Sequence, residues 1–365
     1  MNHPHRCWAE IDLSGFEANL AQLKQRVSPG VRFAAVIKAD AYGHGLQPAA
    51  VALRDQVDFL AVANATEAQE IRQAGVGTPT MILGPAIPEE FPVIVRGRFI
   101  PTISTAEEGR RYAELVSGSP LDVHFVFDTG MGRIGLWYEE AVEEFRRLTL
   151  LPQIRVTALS SHLPVADADR GYTANQLDRF SRQAEQLSGT LPGTILSSAG
   201  VLRFGEAAKI GDIVRTGLAM YGVCPLPEFQ SHFRPLLTLK TRVILVRALK
   251  AGRTISYGRT FTTSRETKVA TLAAGYADGY SRHLSNVGAE VLIQGRRCPL
   301  LGRVTMDQIM ADVSELPEVN VGDEVVLIGR QGNEEILASE LAQKAGTIAW
   351  ETLTGITKRA VRVYR

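Results

Sequence analysis

Between residues 31 and 217 the chain repeats one pattern eight times: a short apolar run rich in β-branched residues, then a longer segment with apolar residues at helical spacing. The runs are 31–38 (VRFAAVIK), 58–63 (DFLAVA), 80–83 (TMIL), 99–103 (FIPTI), 123–127 (VHFVF), 154–161 (IRVTALSS), 194–197 (TILS) and 213–215 (IVR). Strand-length runs alternating with helix-period segments mark βα units around a parallel sheet. Eight of them predict a closed (β/α)8 barrel of the TIM type. Thr66 followed by Gln69, and Thr105 followed by Glu108, have capping-box spacing, and Gly75 and Gly118 are suited to end the helices that follow.

Beyond about residue 233 the pattern changes. Strand-like runs at 236–246, 268–273, 290–293, 308–313 and 324–329 are separated by turns such as Gly322-Asp323, and only 337–345 reads as a helix. With 365 residues the chain exceeds what a single core ordinarily fills. Two domains are therefore expected: an α/β barrel over 1–232 and a mostly β domain over 233–365, the first ten or so residues being free to pair with the second. No low-complexity linker separates them.

Composition narrows the partners. Forty Lys and Arg against 39 Asp and Glu leave no net field to attract nucleic acid or an anionic membrane surface, so a small molecule fits better. Cys7, Cys224 and Cys298 are odd in number, far apart and in no CxxC pair, which argues against a disulfide framework or zinc knuckle and for a reducing compartment. No His/Cys/Asp/Glu set has metal-ligand spacing, and no P-loop or strand-linked GxGxxG occurs. The start, MNHPHRCWAEIDL, carries no basic segment followed by an apolar stretch, and no apolar run is long enough to span a bilayer, so a cytoplasmic location is expected.

In such a barrel the reactive groups lie at the C-terminal ends of the strands. The first strand delivers Lys38, followed by ADAYGHG with two glycines that let backbone approach a ligand closely. A desolvated lysine can be neutral enough to form a Schiff base. The fifth strand leads into DTGMGRIG and Arg133, a guanidinium able to grip a carboxylate bidentately. The sixth brings His162, the seventh Ser198, and the eighth Arg215, Gly217 and Leu218. Loops after the last two strands often bind phosphate through backbone N–H groups, for which Ser198, Gly217 and Leu218 are the candidates. Taken singly, Lys38 reads more readily as a rim lysine reaching solvent, His162 as a hydrogen-bonded structural residue, and Arg215 as an ion-pair partner, with a surface salt bridge the alternative for Arg133. Their convergence at one mouth favours chemistry.

The segments AAVIKADAYGHG (34–45), DTGMGRIG (128–135), IVRTGLAMYG (213–222), ISYGRTF (255–261), AAGYADGY (273–280) and GRVTMDQ (302–308) resemble the alanine racemase family in wording, order and spacing. The likeness runs from about Trp8 to Tyr364. It implies a barrel that binds pyridoxal 5′-phosphate, a β-rich second domain, and a homodimer with active sites shared between subunits. It further implies Lys38 as the covalent attachment point and Tyr257, from the other subunit, as the opposing catalytic base. Tyr42, Ser198, Gly217 and Leu218 would hold the phosphate, with Trp350 and His162 also at the cofactor. Arg133 would reach the ring oxygen and the substrate carboxylate, and Arg215 would face the pyridine nitrogen. A guanidinium can only donate there, which leaves the ring nitrogen unprotonated. Met306 would meet the substrate carboxylate through its N–H, while Asp307, Tyr276 and Arg282 would line the entrance or support that shell. The implied reaction is racemisation of L-alanine to D-alanine, a peptidoglycan precursor.

Two positions depart from the family. Val126 stands where many relatives have a lysine, sometimes carbamylated, that neutralises and positions the arginine corresponding to Arg133, so Arg133 must find another partner, a bound anion or another carboxylate. Trp350 stands where the family usually has a tyrosine whose hydroxyl touches the phosphate; an indole offers one N–H and more bulk. Serine or a broader amino-acid range is thus an alternative to alanine. A decarboxylase on the related barrel is disfavoured by Arg215, and a non-catalytic cofactor-binding protein by the retained Tyr257.

Overall fold

The computed structural model describes residues 5–365. The chain forms two compact units: Phe16–Ala41 with Gly45–Arg234, and Met1–Gly15 with Tyr42–His44 and Pro235–Arg365.

The first unit is the predicted (β/α)8 barrel. Its strands are Arg32–Val36, Phe59–Val62, Thr80–Ile82, Ile100–Ile103, Leu121–Asp128, Ile154–Ser160, Gly193–Thr194 and Ile213–Thr216. The first seven pair in parallel in that order, and the eighth pairs in parallel with the first, Ile213 opposite Arg32 and Thr216 opposite Ala35. The remaining seam is closed by the Arg215 N–H, which donates to the Leu196 carbonyl at 2.9 Å. Both faces of these strands are covered, so they read as continuous apolar runs rather than as alternation. The residues 195–197 of the seventh run lie beyond its short strand.

The surrounding helices follow their apolar stripes. In Ala141–Thr149 the buried positions are Ala141, Phe145 and Leu148; in Ala65–Gln73 they are Ala65, Ala68 and Ile71. The box at Thr105 and Glu108 forms as expected, each side chain receiving the other's backbone N–H. The one at Thr66 and Gln69 does not: the helix begins two residues earlier, with Asn64 as N-cap accepting from the Glu67 N–H. Asparagine is among the best N-caps and wins over an internal threonine.

The second unit is built on one long strand, Leu237–Leu249. Its first half pairs antiparallel with Cys7–Ile11 and with Glu324–Gln331; from Val243 onward it pairs antiparallel with Thr267–Leu272, with a register shift between Val243 and Leu245. An irregularity of this kind bends the strand and lets it serve two layers. Cys7–Ile11 also pairs in parallel with Val361–Tyr364. Ile255, Val269 and Leu301 form a buried cluster under Phe261 and Met310. The helix expected over 337–345 is Ala338–Ala345. Among the described residues no helix is long and apolar enough to cross a membrane.

One close approach in the barrel unit gives a test. A Cβ at Gly205 would lie 1.9 Å from the Arg26 carbonyl oxygen, a backbone atom that cannot swing aside. Gly205→Ala should lower the unfolding free energy by about 1–3 kcal/mol, the range for overpacking. An unchanged denaturant midpoint would contradict that contact.

Candidate active site

The chain leaves the first barrel strand through a left-handed turn. Ala39, Asp40, Ala41 and Tyr42 all have φ between 52° and 54°. For residues with a Cβ this conformation costs roughly 1–2 kcal/mol each, so it needs support. The Glu67 carboxylate accepts from the Ala39 N–H (2.7 Å) and, with its other oxygen, from the Ala63 N–H (2.8 Å). Asp40 accepts from the Leu46 N–H through its side chain (2.7 Å) and from the Gly45 N–H through its carbonyl (2.9 Å). Strain held in place by surrounding contacts is characteristic of functional sites. Here it sits directly after Lys38.

Lys38 is half-buried, and its amine is held below the ordinary lysine value, first by burial, then by Arg133 and Arg215, with Glu67 opposing. Arg215 is buried, and its guanidinium is pushed down to about 10 by burial and by Arg133, so it stays charged. It is anchored to the neighbouring strand ends: Nη1 donates to the Thr194 carbonyl and hydroxyl, both at 2.6 Å, and Nη2 to the Ser161 carbonyl at 2.6 Å and to His162 Nδ1 at 3.3 Å. Because a guanidinium only donates, Nδ1 of His162 is the acceptor and its proton resides on Nε2. Burial, then Arg215, Arg133 and Lys38, lower His162 to about 3, in keeping with a neutral ring.

Arg133 lies on a loop built for rigidity. The Asp128 carboxylate accepts three successive backbone N–H groups, from Gly130 (2.7 Å), Met131 (2.7 Å) and Gly132 (2.5 Å). From the helix Arg170–Ser188, the Tyr172 hydroxyl donates to the Gly130 carbonyl (2.8 Å) and Arg179 to that of Thr129 (3.3 Å). Gly130, at φ 143°, admits Tyr172 because it has no Cβ: one built there would lie 2.5 Å from the hydroxyl. Ser198 is buried and its Oγ accepts from the Gly217 N–H at 2.9 Å, with Leu218 starting the next turn. Lys38, Arg133, His162 and Arg215 thus share one electrostatic neighbourhood. Of the roles above, Asp128 and Glu67 were not assigned from sequence. Asp128 was visible inside DTGMGRIG, and Glu67 was hidden by the misplaced helix start.

The remaining candidates belong to the second unit. Tyr42 is buried there, and burial pushes its phenol up to about 12, keeping the hydroxyl protonated. The next residue, Gly43, receives Arg362 Nε on its carbonyl (3.1 Å) and packs so that a Cβ would lie 2.4 Å from the Leu353 oxygen. Trp350, in the helix Ala349–Thr354, is half-buried. Tyr257 projects from a turn in which Ser256 has φ 67° and ψ −178°, a region glycine nearly monopolises; the Ser256 hydroxyl donates to the Arg303 carbonyl at 2.6 Å. Tyr257 is 71% exposed and Met306 52%. Tyr276 opens the 3-10 turn Tyr276–Asp278, and its N–H donates to the Thr305 carbonyl (3.0 Å), beside Met306 and Asp307. Arg282 lies exposed on the following 3-10 turn.

Two outcomes follow. Ala39 is exposed, so Ala39→Gly removes strain without opening a cavity and should raise the unfolding free energy by up to about 1 kcal/mol; a lower thermal midpoint would contradict the strained turn. His162 and the buried barrel residue His124 both titrate near 3 when folded and near 6.5 when unfolded, His124 being lowered by burial first and then by Arg215 and Arg32. Between those values the unfolded chain binds more protons, so stability falls as pH drops from about 6.5 towards 3. His124→Gln should flatten that slope in denaturant titrations at successive pH values, and an equally steep slope would contradict the buried neutral ring.

Comparison with known proteins gives these two units a family. Residues 11–225 match the alanine racemase N-terminal domain and residues 236–364 the alanine racemase C-terminal domain. The chain is 41% identical to the alanine racemase of Halothermothrix orenii, over 98% of this chain and 96% of that protein. It is 43% identical to that of Symbiobacterium thermophilum, over 98% and 96%. Among solved structures, alanine racemase from E. faecalis superimposes with a TM-score of 0.92 at 33% identity, covering all of both chains. That of Bacillus anthracis, solved with bound L-Ala-P, gives 0.89 at 35% identity, over 100% of this chain and 96% of that one. The family models together span nearly the whole described chain and the relatives exceed a third in identity, so this protein is a member of the alanine racemase family.

Proposed function

We propose that this protein interconverts L- and D-alanine with pyridoxal 5′-phosphate as cofactor, using Lys38 and Tyr257 as the two proton-handling groups. The observation that carries the reading is the cation set at the barrel mouth. Arg133 adds to burial in depressing both Lys38 and Arg215, while Glu67 spends both oxygens on backbone N–H groups. Such a donor set fits a doubly anionic phosphate and a substrate carboxylate. The hydroxyls of Ser198 and Tyr42, the N–H of Leu218, and that of Gly217 once it turns from Ser198 Oγ, would hold the phosphate. Lys38 would hold the cofactor by its amine, for which a depressed basicity is the requirement.

The bound cofactor supplies an electron sink that acidifies the hydrogen on the substrate α-carbon. The protein's own groups then decide what happens to that hydrogen. Nζ of Lys38 takes or returns a proton on one side and Oη of Tyr257 does so on the other, since inversion needs proton transfer on opposite faces. Arg215, with its hydrogens directed into fixed acceptors, offers a permanent donor and never a proton acceptor. Arg133 and the Met306 N–H orient the carboxylate.

Tyr257 is proposed to serve a neighbouring copy in a homodimer. The support is its exposure, with those of Met306 and Tyr276, in a single chain: aromatic and thioether groups of this kind are enriched where surfaces become buried on association. A cytoplasmic location accords with three thiols outside any disulfide. Trp350 carries a second reading, in which serine or a broader range of amino acids is accepted. Incubation with single L-amino acids in D2O followed by chiral separation distinguishes them. D-alanine carrying α-deuterium supports the first reading and D-serine in excess the second, whereas CO2 release, or a bound cofactor with no turnover, would overturn both. Tyr257→Phe should lower racemisation at least ~100-fold, as loss of a positioned acid–base group does; undiminished rates in both directions would remove Tyr257 from the mechanism.

A further inference from the structure

The hairpin-like turn Thr305–Gln308 carries Met306 and Asp307 at its tip. It is tied across its base by the Thr305 N–H to the Gln308 carbonyl (3.0 Å) and the Thr305 hydroxyl to the same oxygen (2.7 Å). Its outer side is fixed by the segment Gly275–Tyr280. The N–H groups of Tyr276 and Ala277 donate to the carbonyls of Thr305 (3.0 Å) and Met306 (3.1 Å). A Cβ on Gly275 would lie 2.3 Å and 2.4 Å from those oxygens, so only glycine permits the approach. Backbone on backbone, this segment is a platform for the turn.

Under the platform lies a carboxylate with a defined task. Asp278 is buried; Oδ2 accepts from the Gly275 N–H at 2.9 Å, and Oδ1 meets Arg359 Nε at 3.2 Å. Arg359 then donates through Nη1 to Asp307 Oδ1 at 2.8 Å. Arg359 is itself fixed in place, because Thr357 donates its N–H to the Asp278 carbonyl (3.2 Å) and its hydroxyl to the Ala277 carbonyl (2.6 Å). The side chains of Arg359 and Asp307 are each about half exposed. An ion pair in that setting adds little to stability. What the bridge supplies is geometry, a rigid link from a buried anion to the residue beside Met306.

We infer that Arg359 is a positioning residue for substrate: by bridging buried Asp278 to Asp307 it orients the turn whose Met306 N–H receives the amino-acid carboxylate. This rests on the racemase reading above. The carboxylate keeps its charge throughout the reaction, so a donor aimed at it binds ground state and transition state alike, and its loss raises KM with kcat little changed.

The test is a double-mutant cycle on the cofactor-loaded enzyme. Arg359→Ala should raise KM for alanine roughly tenfold, the scale of one hydrogen bond to a charged group, with kcat and the cofactor absorbance of the resting enzyme nearly unchanged. Asp307→Ala should do the same and the double variant no more than either alone. Asp307→Asn, which keeps an oxygen for Arg359, should recover most of the loss. Unchanged KM in Arg359→Ala, or additive effects in the double variant, overturns the inference. Should Arg359→Ala fail to fold, Arg359→Lys, which keeps the charge but cannot span both carboxylates, reads the same quantity: an unaltered KM there overturns it as well. A wild-type enzyme that racemises no amino acid would instead remove the reading on which the inference stands, a result separable from the others because it needs no variant.

Discussion

A buried guanidinium must have its hydrogens accepted, and the barrel unit is arranged around that demand. Leaving a charge inside protein without partners costs several kcal/mol. Arg215 avoids this by drawing on the ends of two neighbouring strands, the Thr194 carbonyl and hydroxyl and the Ser161 carbonyl, while its own backbone N–H closes the ring onto Leu196. One residue therefore completes the hydrogen-bonded cylinder and fixes the charge at its mouth. With carbonyl oxygens rather than a carboxylate as partners, its positive charge is not cancelled. That residual field adds to the larger effect of burial in lowering His162, and to those of burial and Arg133 in lowering Lys38.

The same logic explains where the chain tolerates poor backbone geometry. A lysine amine whose position matters must not follow a flexible loop. The left-handed turn from Ala39 to Tyr42 gives a compact, over-determined path, held by Glu67 and Asp40. Ser256, in a glycine-like conformation immediately before Tyr257, is the counterpart in the other unit. In both cases a residue with a side chain occupies a position where glycine would be easier, and in both that side chain or its backbone makes a specific bond. Arg98, Asn286 and Gln294 are also left-handed, but singly; the run of four such residues directly follows Lys38.

The sequence was most legible where one physical rule acts alone. Eight buried parallel strands need eight apolar runs, and strands buried on both faces cannot hide in an amphipathic pattern, so the barrel could be counted. The strand-end residues Lys38, Arg133, His162 and Arg215 followed, because barrel topology sends them to one mouth. Legibility failed where local rules compete. Thr66 and Gln69 satisfied the capping spacing, yet Asn64 took the cap, which turned Glu67 from a plain first-turn acid into the residue holding the Lys38 turn. Nor does any periodicity announce that Asp128 will collect three backbone N–H groups, or that Arg359 will reach Asp307 across 52 residues of sequence. Such bonds depend on the folded path of two loops and leave no local signature.

The departure at Val126 becomes intelligible in these terms. Val126 is a buried aliphatic residue within the strand Leu121–Asp128, a position where an amine without a partner would be costly. In this chain the loop backbone is held independently, by Asp128 from within and by Tyr172 and Arg179 from the adjacent helix. The backbone that carries Arg133 thus needs nothing from position 126, and valine can fill it for packing alone.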